Sequence, residues 1–427
     1  MTLRKSSDTA LLEAAPRRPN APCRDASRDA LRVAFVAGTL VQDGAEKQLV
    51  YMSRALREAG VNVRVYSLTR GEFYEGALAE LGLRPHFVGR SRSRLRRLLT
   101  ISAALRDFRP HVVQSAHFYT NLYATLPARL CHALALGCCR NDVFSEIKDL
   151  GGLGELSLRL PVALLVNSRA ARRNAQSLGI PPHAIHVLNN VIDLESFDRQ
   201  TELDSPTGQP ELDVPDEHSR PVALAIGRLV EQKRFDRFLA ALAKARCSAP
   251  RLKGILVGEG PNRGALEERA KALGLLPYHV AFLGRRRDVP ALLERATMLV
   301  LSSDYEGFPN VVLEAMSARL PVVTTPAGDA ADVLQDEVAG YVVSFDDIER
   351  MAVRMAQLAD SPDLRRRFGE AGRARAERRY NYAGLAARLL RIYRIIALRR
   401  RRRDLLRLLP PTALGERESI LAPSELA

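Results

Sequence analysis

The sequence predicts an α/β protein built from two separate, doubly wound parallel sheets. Three observations carry that prediction. Short β-rich apolar runs alternate with helical patterns from Leu31 onward, the text turns polar and proline-rich after residue 198, and the alternation restarts at Val222. Strands that alternate with helices run parallel, because each crossover helix returns the chain to the same edge of the sheet. With 427 residues and 46% hydrophobic content, the chain can bury two domain-sized cores.

The elements follow in order. Residues 1–30 scatter charge and proline without an apolar run and read as a disordered tail. Arg32-Val33-Ala34-Phe35-Val36 is the first strand, Ala45 to Ala59 the first helix and Val61 to Tyr66 the second strand. The rhythm continues through His111-Val112-Val113 and Ala163-Leu164-Leu165-Val166, so a first domain covers 31–197. Residues 198–220 read as the interdomain linker with a variable loop. Strands at 222–226, 254–257, 280–283, 298–301 and 321–324 then build a second domain over 221–380. Leu385, Leu389, Ile392 and Ile396 recur at helical spacing in 381–400, and 401–427 form a basic, then polar tail.

Composition excludes several classes. Cys23, Cys131, Cys138, Cys139 and Cys247 fit neither a disulfide framework nor a C-x-x-C pair, so they read as buried thiols of a reducing compartment, the cytoplasm. No signal-type apolar segment and no stretch of roughly 18 uncharged apolar residues occurs, which predicts neither a secreted nor a membrane-spanning protein. Net charge is +15 and local: Arg365 to Arg403 holds 15 Arg against Glu370 and Glu377, and seven more lie between Arg90 and Arg109. Such concentration calls for an anionic partner.

In open parallel sheets ligands sit beyond the carboxyl ends of the strands. After 222–226 comes Gly227-Arg228-Leu229, with Lys233 five residues past Arg228; a glycine turn with guanidinium and ammonium suits a diphosphate and charge growing on it. After 254–257 comes Gly258-Glu259-Gly260-Pro261, where a third glycine at 264 rather than 263 breaks the dinucleotide spacing. After 298–301 comes Glu306-Gly307-Phe308-Pro309-Asn310-Val311-Val312-Leu313-Glu314. Pro309 suits a first helical position, which leaves Glu306 in the loop, Glu314 inside the helix and free helix amides between them. Two carboxylates for hydroxyls with a phosphate site between match the shape of an activated nucleotide sugar.

The Glu306-to-Glu314 spacing resembles the E-x7-E signature of the retaining glycosyltransferases of family four. Asp43-Gly44-Ala45-Glu46, Val166-Asn167-Ser168, Asn189-Asn190-Val191-Ile192-Asp193, Asp288-Val289-Pro290 and Gly340-Tyr341 extend the resemblance over roughly 32–397. It implies the GT-B fold: an acceptor-side and a donor-binding Rossmann-like domain facing across a cleft, and a last helix that crosses back to the first. It further implies Arg228 and Lys233 on the donor diphosphate, Glu314 on the ribose, and Glu306 by the transferred sugar. Phe308, Pro309, Asn310 and Val311 would surround sugar and phosphate. Gly38, Gly44, Gly227, Gly258 and Gly260 would face the donor, and His117 in Gln114-Ser115-Ala116-His117 the acceptor. Asn190 stands where the family usually has Gly and is expected to keep a positive-φ hinge turn; Ala296-Thr297 and Ala327-Gly328-Asp329 are further departures.

The implied reaction moves a hexosyl unit from a nucleoside-diphosphate sugar to a hydroxyl with retention. No D-x-D follows a strand, so protein cations rather than a metal are expected to meet the leaving group, with no cofactor. A nucleic-acid-binding protein is the competing class; Trp is absent and Arg399 to Arg403 is unbroken by aromatics, which speaks against it. The failed glycine spacing speaks against a dehydrogenase. The favoured acceptor is a lipid-linked glycan of a bacterial cell-surface polysaccharide or lipopolysaccharide pathway, the alternative a soluble acceptor as in sucrose- or trehalose-type synthases. Arg90, Arg92, Arg94 and Arg96 together with Arg399 to Arg403 are expected to share one face and meet an anionic leaflet at the inner side of the membrane.

Overall fold

The structure is a computed structural model that describes residues 30–203 and 220–410. Residues 1–29 of the tail expected over 1–30, residues 204–219 of the expected linker and residues 411–427 of the tail expected over 401–427 lie outside the described residues. The first sheet contains β1 (Arg32–Ala37), β2 (Asn62–Ser67), β3 (His86–Phe87), β4 (Val112–Ser115), β5 (Leu134–Cys139), β6 (Ala163–Val166) and β7 (Ile185–Val187) in the order β3-β2-β1-β4-β5-β6-β7. The second contains β8 (Val222–Ile226), β9 (Lys253–Val257), β10 (Val280–Gly284), β11 (Met298–Leu301), β12 (Val322–Thr324) and β13 (Gly340–Val342) in the order β10-β9-β8-β11-β12-β13. Every neighbouring pair is parallel.

Parallel sheets need cover on both faces, and β1 shows it: Val33 to Ala37 are all buried. Phe35 faces a core with Leu49 and Met52, while Ala34 and Val36 face another with Ile101 and Leu105. Strand order reverses between β1 and β4 and again between β8 and β11, so a crevice opens at the carboxyl ends there. Gly38 and His117 follow β1 and β4, and Gly227 and Glu306 follow β8 and β11. Topology alone therefore brings these loops to the facing edges.

Two segments cross between the domains and are bonded to each other: Ile192 N–H donates to Tyr380 O at 2.9 Å, and Tyr382 N–H to Ile192 O at 3.0 Å. The outgoing segment becomes the helix Leu194–Leu203, which runs into the stretch read as linker. Arg373 explains this, since both its terminal nitrogens donate to the Asp198 carboxylate at 2.7 Å. The returning segment enters the helix Leu385–Arg399, which buries Leu385, Leu389, Ile392, Tyr393 and Ile396 in the first domain. Tyr393 adds a buried hydrogen bond to Gln114 at 2.7 Å.

Three expectations need correction. Asn190 has no positive φ; it is a buried cross-link, accepting from Arg140 at 3.0 Å and donating to Asn310 at 2.7 Å. Cys138 and Cys139 are buried thiols, but Cys247 is exposed on the helix Phe235–Ser248. The two arginine clusters occupy opposite edges of the first sheet. Arg90 to Arg96 precede or open the helix Arg94–Phe108 at the cleft edge, whereas Arg399, Arg400 and Arg402 donate to the carbonyls of His183, Val162 and His132 at the far edge. A 15-residue helix separates those edges by roughly 22 Å.

Candidate active site

The second domain supplies a charged edge. The turn after β8 places Gly227 at φ 157°, and a Cβ on Gly258 would meet Gly227 O at 1.9 Å. A Cβ on Gly260 would likewise meet Leu229 O at 2.4 Å. Close backbone packing of two neighbouring turns thus accounts for both glycines without a ligand. Lys233 ends a short 3-10 turn, and Ser302 Oγ donates to its carbonyl at 2.9 Å. Its ammonium donates to Glu306 Oε1 at 2.6 Å, and Ser303 Oγ donates to the same oxygen at 2.7 Å. Both side chains of the pair are largely buried. Arg228 is exposed at the mouth of the cleft, its Nε 3.8 Å from Asp43 of the opposite domain.

The helix carrying Glu314 runs Asn310–Ser317, with Pro309 just before it as N-cap rather than at its first position. Pro309 O still accepts from Val312 N and Leu313 N at 3.0 and 3.3 Å. Phe308 turns inward and packs edge-to-face on Tyr380, ring centres 5.6 Å apart. Its side chain anchors the loop, and Asn310 N donates to Phe308 O at 2.9 Å, so among the described first-turn amides Val311 N is the one left for an anion, fewer than the sequence predicts. Gly307 fits beneath the first domain because a Cβ there would meet Arg140 O at 2.1 Å.

The first domain meets this edge closely. The helix Gly44–Glu58 starts at Asp43, whose carboxylate accepts from Gly44 N at 2.6 Å. Gly44 lies against Asn310: an added Cβ would stand 2.0 Å from Asn310 Nδ2. One turn along, Lys47 crosses the cleft to Glu314 at 2.8 Å. Burial works to lower the Lys47 pKa, but Glu314, then Tyr51, outweigh it and hold the ammonium above the ordinary lysine range. Asp329 crosses in the other direction and accepts from Arg169 N and Ala170 N at 2.6 and 2.9 Å, capping the helix Arg169–Ser177. Gly328 beneath it leaves no space, since a Cβ would lie 2.5 Å from Glu306 O.

His117 has both ring nitrogens engaged. Gly38 N–H donates to Nδ1 at 3.1 Å, so Nε2 carries the proton and donates to Glu46 at 3.1 Å. Glu46, nearly fully buried, also accepts from Thr39 at 2.6 Å. Burial tends to raise its pKa, but the His117 and Thr39 hydrogen bonds prevail and keep it below the usual range. The histidine therefore positions the loop after β1. Tyr119 stacks on it with centroids 5.3 Å apart, and its hydroxyl fills the place a Cβ on Gly38 would take.

The predicted residues Arg228, Lys233, Glu306, Asn310 and Glu314 converge, with Gly38, Gly44 and His117 facing them. Sequence reasoning missed Lys47, Arg140 and Tyr119 at the site, and the partly buried Glu146 of the helix Val143–Leu150. Lys47 adjoins the Asp43-to-Glu46 motif, its only signal. Arg140, whose pKa burial pulls down, and Glu146, pushed up to about 7 by burial and then by Asp149 and Asp142, carry no local pattern.

The geometry agrees with what is found by comparison. Residues 213–375 match the model of glycosyl transferases group 1, and residues 42–196 that of glycosyltransferase family 4. A 115-residue stretch is 36% identical to the Vi polysaccharide biosynthesis protein VipC/TviE of Salmonella typhi, covering 26% of this chain and 20% of that protein. Another of 237 residues is 26% identical to alpha-D-kanosaminyltransferase of Streptomyces kanamyceticus, covering 55% of this chain and 60% of that protein. The match thus spans less than two thirds of either relative. Anabaena HepE, solved in complex with UDP and glucose, superposes with a TM-score of 0.74 over 85% of this chain and 99% of that one at 18% identity, a likeness of fold. Two parallel sheets facing across a cleft and two family models in tandem place this chain in the GT-B glycosyltransferases of group 1 and family 4.

Proposed function

We propose that this protein transfers a hexosyl unit from a nucleoside-diphosphate sugar to an acceptor hydroxyl, with retention and without a metal. One observation carries the reading: Glu306 and Glu314 flank a helix N-terminus, with Lys233 against Glu306 and Arg228 at the mouth of the same cleft. Arg228, Lys233 and the Val311 amide bind the diphosphate and stabilise its charge as the glycosidic bond breaks. Glu314 accepts from the ribose hydroxyls through the oxygen Lys47 leaves open. Glu306 holds the Lys233 ammonium in place and faces the sugar, and the departing phosphate takes the acceptor proton on the same face.

The acceptor is a lipid-linked glycan of a cell-surface polysaccharide, and the enzyme works on the inner face of the cytoplasmic membrane. Support comes from the VipC/TviE relative, a polysaccharide biosynthesis protein, and from the helix Arg94–Phe108, which exposes Leu95 and Leu99 among Arg94, Arg96 and Arg97. Apolar side chains set among cations suit an anionic leaflet. Among the described residues no helix is long and apolar enough to cross a membrane.

The deciding experiment incubates purified protein with a panel of nucleotide sugars, UDP-sugars first, in excess EDTA. Sugar release in EDTA with the donor's anomeric configuration kept in the NMR spectrum is the expected result. Recovery of activity only with Mn²⁺ or Mg²⁺, or an inverted product, overturns the metal-free or the retaining part respectively. Sedimentation with anionic but not neutral vesicles, lost on replacing Arg94 and Arg96 by Glu, checks the membrane part.

A further inference from the structure

At the edge of the first sheet opposite the cleft, a cavity of about 230 Å³ lies between the amino ends of β6 and β7 and the end of the helix Leu385–Arg399. Its wall includes Val162, His183, His186, Ile396, Arg399 and Arg400, with no carboxylate. His186 projects from β7, and its Nε2 is buried without a hydrogen-bond partner. Buried polar atoms in folded proteins are almost always satisfied, so an orphan nitrogen in a cavity wall calls for a ligand. The charged groups acting most strongly on this ring, Arg399, Arg172 and His183, are all basic. Arg399 and Arg400 each spend one N–H on a carbonyl, of His183 at 2.6 Å and Val162 at 3.4 Å. Those bonds hold the guanidinium groups at the cavity while leaving further donors open.

We propose that this cavity is a second anion site, separate from the donor cleft, which takes a phosphate monoester. Guanidinium forks match phosphate oxygens in pairs, and His186 Nε2–H supplies a third, buried donor. The negative end of the helix opposes an anion with about half a charge, and two guanidinium charges outweigh it. The space exceeds the roughly 30 Å³ of one water several-fold, so a phosphate with a small attached group fits. A soluble sugar phosphate and the headgroup of a phosphomonoester lipid share this chemistry. In either case the ligand would join the returning helix to the first domain. Three of the five arginines of the block 399–403 thereby have a place, two on the cavity and Arg402 on His132.

The test follows the histidine ring signals of the full chain by NMR, with His186 assigned through its loss in His186→Gln. The His117 signal reports separately on the cleft. Inorganic phosphate at millimolar levels should move the His186 signal, and the double variant Arg399→Gln/Arg400→Gln should need roughly tenfold more, the loss expected for deleting bonds to a charged group. A shift produced by phosphatidic acid vesicles at lower total phosphate, and not by phosphatidylcholine, assigns the lipid source; a shift from free phosphate alone assigns the soluble one. A His186 signal that neither probe moves, or that moves equally in the double variant, overturns the site.

Discussion

The two edges of the cleft are built on different principles. The edge from the second domain is charged and local: Lys233, Ser303 and Glu306 bond to one another within a single loop system after β8 and β11. The edge from the first domain is assembled from distant pieces, with Lys47, Asn190, Arg140 and the helix beginning at Arg169 each reaching a different point of the other domain. Under the proposed function, the second-domain edge carries the chemistry on the donor and the first-domain edge governs how the domains close around it. Variants in the two should therefore fail in different ways.

The largest effect is expected on the charged edge. Lys233→Ala should lower turnover on the order of 10²–10³-fold, since it deletes a donor to the growing phosphate charge and strips Glu306 of its cation. Arg228→Ala should lose a similar factor with the fold intact, and Glu306→Ala should act on turnover more than on donor KM. Steady-state kinetics with correct folding by circular dichroism checks these; near-normal turnover in both cation variants removes the diphosphate assignment.

Next comes the contact between the edges. Glu314→Ala should raise donor KM, and with Lys47→Ala the pair should show a coupling of about 0.5–3 kcal/mol in a double-mutant cycle. Lys47→Ala alone should also increase the donor-free radius of gyration in X-ray scattering, because it removes a bond between domains. Additive single effects with unchanged scattering would make Lys47 a bystander. Asp329→Ala should cost about 1 kcal/mol of stability, the usual loss of a helix cap, and also expand the donor-free protein. Expansion without that loss would mean Ser168, which already accepts from Ala171 N at 3.0 Å, suffices as cap.

The smallest effect concerns pH. Glu146 has a folded pKa near 7, above the roughly 4.3 of an unfolded glutamate, so the folded state holds more protons between those values. Its contribution is fully present below about pH 4 and is lost as pH rises through 7. Glu146→Gln should therefore gain Tm relative to the parent as pH goes from 5 to 8, and a constant difference would remove the assignment.

The expected shared face of the two arginine blocks shows where sequence pattern misled. Arginine blocks at 90–97 and 399–403 look alike in text, yet one opens a helix beside exposed leucines and the other is anchored on carbonyls at strand ends. Charge runs record composition, and only the fold decides what they face. Asn190 misled similarly, because tolerance of positive φ is a backbone property and the residue is used here for its side-chain amide.

The sequence by itself determined the two parallel sheets, the strand ends that line the cleft, and the placing of Arg228, Lys233, Glu306 and Glu314 there. Alternating periodicity and fixed short spacings are local properties of the chain, and loops after strands reach the cleft by topology. Only the tertiary structure decided that Glu314 meets Lys47, that His117 is held by Glu46 and Gly38, and that Asp329 caps a helix of the other domain. It also decided that His186 faces a basic cavity. Lys47 and Glu314 lie 267 residues apart. No local propensity links such positions; they meet because packed domains bring their surfaces within hydrogen-bonding distance.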